Sequence, residues 1–375
     1  MFRPLACAAA LSLFLAACGG SDGGPQPVSV RLIGEQTVPN ALQVGGTAVG
    51  GLSGIDYDAA RGTWVLISDD RSDKNPARFY TARLQYDQAA FAPVQVLAAT
   101  TLRQADGSAY PGRASATASS PVPDPESIRI DPRDGSLWWT SEGDRSLGLD
   151  PFVMHADASG RALGALPLPA AFRMSPTQAT GTRNNLALEG LSFSADGASL
   201  WAAMEAPLYQ DGPVPTPTAG AHSRLLQYSR SGAVLRQVAY PVDPIQAVPG
   251  SGKNADNGLS EMLAVDDHRF LVLERSGVQG SDDLYRMYIR LYEIDTEGAT
   301  DVSGMASLAS GGFTPVRKRL VLNLNTLGLR TVDNIEGMAW GPRLANGHRS
   351  LVMVSDNNFN DTQISQFLAF EVLSE

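Results

Sequence analysis

One phrase recurs five times along this chain, and it restricts the fold more than any other feature. Each copy starts at a polar or acidic residue and continues as a short apolar strand. A turn and a second apolar strand follow, and the copy ends on another polar or charged residue. The copies are Ser53-Gly-Ile-Asp-Tyr with Trp64-Val-Leu-Ile-Ser-Asp69, Glu126-Ser-Ile-Arg-Ile with Leu137-Trp-Trp-Thr-Ser-Glu142, and Glu189-Gly-Leu-Ser-Phe with Leu200-Trp-Ala-Ala-Met-Glu205. The fourth is Glu261-Met-Leu-Ala-Val with Phe270-Leu-Val-Leu-Glu274-Arg275, and the fifth is Glu336-Gly-Met-Ala-Trp with Leu351-Val-Met-Val-Ser-Asp356. Their starts lie 73, 63, 72 and 75 residues apart. Self-similarity at a recurring spacing is the mark of an array of supersecondary units that bury their faces against one another.

Between the copies lie further alternating runs, such as Arg78–Tyr86, Leu225–Tyr228 and Arg290–Ile294. Period-two alternation bounded by Gly, Asp, Asn and Pro is the strand signal, and no long stretch carries helical periodicity. Each unit reads as four antiparallel strands, A to D. Four-stranded units repeated about an axis make an all-β propeller, which protects sheet edges by radial repetition. Five blades are expected, with Val28–Ile33 as the outer strand of a last blade that also contains Phe367–Val372. Six would require a degenerate unit within 101–125 or 297–325. Both stretches read as loops, and 297–317 fits no place in the repeat.

The first residues read as an address. Arg3 precedes an apolar run ending Leu15-Ala16-Ala17-Cys18, followed by Gly, Ser and Asp. The run is shorter than the roughly 20 residues a membrane-spanning helix needs, so it reads as a signal peptide over 1–17. The Leu-Ala-Ala-Cys ending resembles a bacterial lipobox, which makes Cys18 the lipidated residue. On that reading 18–27 is a flexible tether and 28–375 the propeller. Gly19 after the cysteine points to the outer membrane, facing the periplasm. Membrane contact is then through the lipid alone, and the protein is expected to be a monomer.

Lys+Arg 29 against Asp+Glu 39 gives a net charge of −10, which disfavours a nucleic-acid partner. Two cysteines exclude a disulfide framework, and four histidines disfavour a multi-His metal site. His268 and His348 fall in A-to-B turns and His155 in an outer strand, leaving only His222 within reach of the other face. That face gathers the long B-to-C loops (206–222, 276–284) and D-to-A loops (101–125, 171–187, 241–258, 325–334), the usual carriers of function on a rigid scaffold.

Strand A begins and strand B ends at the loop-rich mouth, so the repeated polar positions converge there. The first ring holds Ser53, Glu126, Glu189, Glu261 and Glu336, and the second holds Asp69, Glu142, Glu205, Arg275 and Asp356. Eight carboxylates near one axis repel strongly unless something compensates. A hard cation such as Ca²⁺, which takes six to eight oxygen ligands, is the simplest compensator. Alternatively, each first-ring Glu accepts backbone N–H groups of its neighbouring blade and locks the ring. No Ser-x-x-Lys or Walker loop occurs, and no Gly-x-Ser-x-Gly elbow lies among the strands. Hydrolysis would then use metal-activated water with carboxylates as ligands and general bases. Trp64, Trp138, Trp139 and Trp201 sit in strand B and read as packing between blades.

The phrases Gly50–Ile55, Pro123-Asp-Pro-Glu-Ser127, Asn185–Gly190, Asn257–Glu261 and Asp333–Gly337 resemble the esterase-like phytase family over roughly residues 45 to 372. That family is similar to the β-propeller alkaline phytases, calcium-dependent phosphomonoesterases. The resemblance implies that Glu126, Glu189, Glu261 and Glu336 are metal ligands and that Arg71 and Arg275 clamp phosphate. One departure is the lysine content: only Lys74, Lys253 and Lys318 occur, so a lysine-rich phytate site is not expected. The sequence thus points to an envelope-anchored, Ca²⁺-dependent ester hydrolase that uses metal-activated water, with phosphoric monoesters as the expected substrates and a small or weakly charged ester favoured over phytate by the lysine content. Two alternatives stand beside it: a non-catalytic propeller binding a protein, glycan or metal at its mouth, and a lactonase-like propeller with a single Ca²⁺.

Overall fold

The computed structural model describes residues 26–374, so Cys18 and the preceding leader lie outside the described residues. Twenty of the strands form five four-stranded antiparallel sheets about one axis. Blade 1 runs Leu52–Asp58, Thr63–Ser68, Arg78–Arg83 and Gln95–Thr101. Blade 2 runs Pro125–Ile130, Leu137–Ser141, Phe152–Ala156 and Ala162–Ala165. Blade 3 comprises Leu188–Phe193, Ser199–Met204, Ala221–Ser229 and Val234–Val242. Blade 4 comprises Gly258–Ala264, Arg269–Gln279, Tyr285–Asp295 and Arg317–Asn323. Blade 5 joins Asn334–Gly341, Ser350–Asp356 and Ser365–Ser374 to Ser29–Val38, which pairs antiparallel with Ser365–Ser374 and so closes the ring with the start of the domain. No α-helix occurs among the described residues, and none of their helical segments is long and apolar enough to cross a membrane.

Burial falls from the axis outward. Strand B of blade 5, Ser350–Asp356, is buried at every position, whereas strand D of blade 4, Arg317–Asn323, is wholly exposed or half-buried. A sheet covered on both faces reads as a near-continuous apolar run, which is why the B strands carry Trp-Val-Leu-Ile and Leu-Val-Met-Val instead of alternation. Each gap between neighbouring blades holds its own core. Ile67, Phe79 and Trp139 fill the gap between blades 1 and 2, and Leu52, Val352 and Phe367 fill the one that closes the ring. Trp64, Trp139 and Trp201 are fully buried, and Trp201 meets Phe270 of the next blade at 5.1 Å.

Every A–B pairing carries a register shift at the same place: between Leu52 and Gly54, Pro125 and Ile128, Leu188 and Leu191, Leu259 and Glu261, and Ile335 and Gly337. The irregularities put Ser53, Glu126, Glu189, Ser260 and Glu336 in equivalent places, and Gly54, Ser127, Gly190, Glu261 and Gly337 in the next. The expected first ring was therefore one residue out of step in blade 4. The small residues at the following position let inner strands touch: a Cβ on Gly54 would stand 2.6 Å from the Glu126 carbonyl oxygen, and one on Gly337 2.7 Å from that of Ser53.

Glu261 occupies that crowded position instead of a glycine, and it points down the axis. It is fully buried, forms an ion pair with Arg129 at 2.7 Å, and accepts hydrogen bonds from the Leu191 N–H (3.0 Å) and the Ser127 hydroxyl (2.9 Å). Arg129 donates to the carbonyls of Ile55 and Ile128 at 2.8 Å and of Met262 and Met338 at 3.2 Å. One buried ion pair thus touches the inner strand of all five blades.

Two loops differ from expectation. Of residues 276–284 the first four are strand, because blade 4 extends its central hairpin up to the pair Gln279 and Tyr285, and only 280–284 form the turn. Residues 296–316 do not form a further blade. They cross to the outer strand of blade 3, where the Val302 N–H bonds the Gln237 carbonyl at 2.9 Å and the Val316 N–H bonds that of Ala239 at 3.0 Å. Buried Arg224, paired with Asp211, donates to the carbonyls of Val302 and Met305 and anchors this segment, which covers an otherwise open sheet edge.

Removing one partner of a buried ion pair leaves an uncompensated charge and costs about 3–5 kcal/mol. Glu261→Ala and Arg129→Met should each lower the unfolding free energy in urea by that amount. The double variant should lose less than the sum of the two, because the partners act as one unit.

Candidate functional site

The loop-rich mouth opens into a cavity of about 1030 Å³ whose floor is made by the ends of the inner strands. Asp69, Glu142 and Glu205 directly follow their B strands, and Arg275 and Asp356 are the residues of theirs that pair with the first residue of strand A, so the five second-ring residues stand at one level. Opposite them at the start of each A strand stand Gly51, Asp124, Ala187, Gly258 and Asn334; Asp69 and Glu142, for instance, donate their N–H groups to the Gly51 and Asp124 carbonyls. Gly51 is required there, since a Cβ on it would lie 1.9 Å from Asp69 Oδ1.

Asp69, Asp124, Glu126, Glu142, Glu189, Arg275, Glu336 and Asp356 all line the cavity, as does Arg71. Glu205 does not line it but lies directly behind, bound to Arg275 at 2.9 Å. Glu261 is separated from the mouth, for the reason given above. Its expected part in metal binding and catalysis is replaced by the blade-locking role. His222 also stays away: it sits edge-on to Phe313 at 5.1 Å and does not line the cavity.

The carboxylates are not spread evenly. Two groups, Asp124–Glu126–Glu142 and Glu142–Glu189–Glu205, each bring three carboxylate oxygens within 4.8 Å of one another, and they share Glu142. Both lie on blades 2 and 3. On the other side Arg275 stands in the ring itself and reaches Glu205 (2.9 Å) and Glu336 (3.3 Å). Asn334 donates to both Glu336 (2.9 Å) and Asp356 (3.3 Å). On the blade 2 and 3 side arginines reach only Asp124 and Glu205, and Glu126, Glu142 and Glu189 have no ion pair among the described residues. Arg71 pairs with Asp124 at 3.3 Å and with Asp144 at 2.9 Å, so both expected phosphate clamps are already engaged with carboxylates.

The uncompensated charge registers in the proton affinities. Burial, and then repulsion from neighbouring carboxylates, pushes Asp69, Glu126, Glu142, Glu189 and Asp356 well above the usual carboxylate range. Burial pushes Asp124 up to about 7 and Glu205 up to about 8, in both cases against the pull of an arginine. Burial works against the Arg275 guanidinium, yet Asp256, Glu205 and Glu336 around it hold its proton more tightly than usual.

Asp124 was not assigned a role from the sequence, although it lies within a quoted phrase. It would have emerged from aligning the residue before each A strand, the backbone partner of the second ring. The slip at Glu261 had a signal too: aligned on their apolar residues, Ser53-Gly-Ile and Ser260-Glu-Met match.

The family model for phytase-like proteins, described as the esterase-like activity of phytase, matches residues 47–359. The chain belongs to this family. No curated protein matches it. Among solved structures it is similar to the tail fiber of Staphylococcus aureus phage P68, with 10% identity, 92% of this chain and 53% of that one covered, and a TM-score of 0.39. It is also similar to the catalytic domain of the Coprinopsis cinerea GH62 α-L-arabinofuranosidase, with 10% identity, 93% and 98% coverage and a TM-score of 0.40. A thermostable family-43 glycoside hydrolase gives 9% identity, 91% and 96% coverage and a TM-score of 0.41. The chain therefore spans about half the length of the phage fiber, and overlaps of this kind say nothing about the mouth.

The mouth of this phytase-like propeller suits a hard cation. Its donors are all oxygen, and buried Asp69 Oδ1 and Asp124 Oδ2 accept no hydrogen bond. A carboxyl whose folded pKa is raised favours folding in its protonated form, so its contribution is fully present below the unfolded value and is lost as pH rises through the folded one. In chelator, the melting temperature should therefore fall between about pH 4 and pH 8, the span from the ordinary carboxylate value to those of Asp124 and Glu205. Adding Ca²⁺ at pH 8 should restore it, and a flat profile in scanning calorimetry would show that the ring is compensated without a cation.

Proposed function

We propose that this phytase-like propeller is an envelope-anchored hydrolase of small phosphoric monoesters that works with Ca²⁺. The observation that carries the reading is the pair of buried carboxylate triads, joined at Glu142, in the wall of one open cavity. Asp124, Glu126, Glu142, Glu189 and Glu205 would hold the cation. When bound, it would supply positive charge for the phosphate oxygens and lower the pKa of coordinated water.

The chain's own residues supply the rest. Arg275, fixed by Glu205 and Glu336, presents a positive charge at the cavity wall that needs no reorganisation when an anion arrives. Arg71 does the same from blade 1, held by Asp124 and Asp144. Glu336 lines the cavity outside both triads, and its pKa is raised chiefly by burial, as suits a general base. It would take a proton from the water whose oxygen adds to phosphorus while the bond from phosphorus to the ester oxygen breaks, and the alcohol would leave with a proton taken from solvent water, to which Glu336 returns its own.

Two variants separate holding the cation from moving the proton. Glu142→Gln should weaken Ca²⁺ binding in calorimetry by at least roughly tenfold, since it removes a charge common to both triads. Glu336→Gln should leave that affinity nearly intact and lower kcat for p-nitrophenyl phosphate by about 10²–10⁴. Wild-type turnover that persists in chelator would refute the reading.

The engagement of Arg71 and Arg275 with carboxylates favours a second reading, hydrolysis of a carboxylic ester or lactone, which carries no phosphate to clamp. p-Nitrophenyl acetate and a γ-lactone in the same assay distinguish the two.

Anchoring through Cys18 belongs to the same proposal. The full chain should fractionate with envelope membranes in a bacterial host, and Cys18→Ser should move it to the soluble fraction or leave it unprocessed. Wild-type processing together with wild-type membrane association in Cys18→Ser would exclude a lipid anchor.

A further inference from the structure

The wall above the carboxylate floor has a different chemistry from the floor. Strands Arg269–Gln279 and Tyr285–Asp295 are paired over eleven residues each, from Arg269 with Asp295 to Gln279 with Tyr285. Arg275 marks the level of the ring, so this hairpin rises four residues beyond it, whereas the B strands of the other blades end within a residue of theirs. On the rising part Tyr285 and Met287 share one face by the two-residue period. Opposite Met287 stands Gly277, which offers no side chain to cover it.

Leu284, Tyr285 and Met287 line the same cavity as the carboxylates, together with Val332. Leu284 is 56% exposed and Tyr285 48%, among the large apolar side chains least covered by the rest of the chain. Apolar area of this kind, continuous with a charged floor, suits a ligand with a polar end and an apolar end.

The cations of the cavity limit how much negative charge such a ligand can carry. Four arginines line it: Arg71, Arg275, Arg286 and Arg330. Arg71 is bound to Asp124 and Asp144, Arg275 to Glu205, and Arg286 to Asp282 at 2.7 Å. Only Arg330 has no ion pair among the described residues. Of the lysines, Lys253 pairs with Asp283, Lys318 is tied to Glu274, and Lys74 lies over the Phe359 ring; none lines the cavity. A polyphosphorylated ring would bring many charges to a rim with one free cation.

We infer that the substrate of this mouth is a phosphoric monoester with a single phosphate and an apolar, ring-sized alcohol. The phosphate lies over the carboxylate floor and the alcohol lies against Leu284, Tyr285, Met287 and Val332. The inference rests on the hydrolase reading for turnover but not for binding.

Benzyl phosphate and ethyl phosphate both leave as alkyl alcohols, so their comparison isolates the wall from the chemistry. With Ca²⁺ present, kcat/KM for benzyl phosphate should exceed that for ethyl phosphate by about tenfold, and that for phytate by more, as expected for burying one ring face. The exposed pair Leu284→Ser with Tyr285→Ser should abolish the preference by raising KM for benzyl phosphate about tenfold, with a much smaller change for ethyl phosphate. Equal rates on the two alkyl esters, a preference for phytate, or an equal loss on both esters in the double variant would overturn the inference. If no ester is turned over, the hydrolase reading fails, and calorimetry with benzylphosphonate and methylphosphonate tests the wall by itself. Benzylphosphonate binding about tenfold tighter in wild type only would support the apolar subsite, and equal affinities would remove it.

Discussion

The ion pair between Arg129 and Glu261 is the constraint around which the rest of this propeller is arranged. A five-bladed ring brings five inner strands close to one axis, where their carbonyl and N–H groups face a space too narrow for bulk solvent. Four carbonyls, from Ile55, Ile128, Met262 and Met338, are satisfied by one guanidinium, and the Leu191 N–H is satisfied by the carboxylate that pairs with it. Buried charge is tolerated there because each partner is paired and also hydrogen-bonded to backbone. The pair also explains the small residues beside it. Gly54, Gly190 and Gly337 admit the backbones of neighbouring blades, and Ser127 donates to Glu261.

Above that plug, the same convergence creates the mouth. Strands that meet at the axis carry their terminal side chains toward each other, so acidic residues that would be unremarkable on a surface become a cluster with raised proton affinity. The protein neutralises part of this cluster by placing Arg275 where three other blades have a carboxylate facing the cavity. The remainder, centred on Glu142, has no such partner within the chain. The acidic floor and the apolar blade 4 wall together give the cavity two ends of unlike chemistry. Its asymmetry comes from departures from the repeat: an arginine in one ring position and a central hairpin longer than its counterparts.

Much of the fold was legible in the residues. The recurring A–B phrase showed the blade count, and the unpaired apolar run near Val28 showed the closure, because alternation and repeat spacing are local properties. The positions of the second ring were legible for the same reason, since Asp69, Glu142, Glu205, Arg275 and Asp356 all stand where the apolar run of a B strand stops. The first ring was less so. Each A strand slips against its partner, and the slip in blade 4 places Ser260, not Glu261, in the position that Glu126 and Glu336 hold in their blades. A one-residue shift reverses which way a strand side chain faces, so a glutamate that matched by type belonged to the axis. Arg129 left no repeat signal because one blade alone carries it, and the path of 296–316 depends on an edge of blade 3 more than fifty residues earlier.

By itself, the sequence determined the repeat, the strand character of each unit, the closing strand and the acidity of the positions that end the strands. These follow from side-chain period and from residue type read along the chain. Only the tertiary structure decided which acids share a site. Closure of the ring brought Glu142 of blade 2 within reach of Glu205 of blade 3, sent Glu261 to Arg129, and tied Arg71 to Asp144 and Arg275 to Glu205. The reason is geometric: charges interact through distances in space, and residues over sixty positions apart become neighbours only when five separate sheets are wound about a common axis.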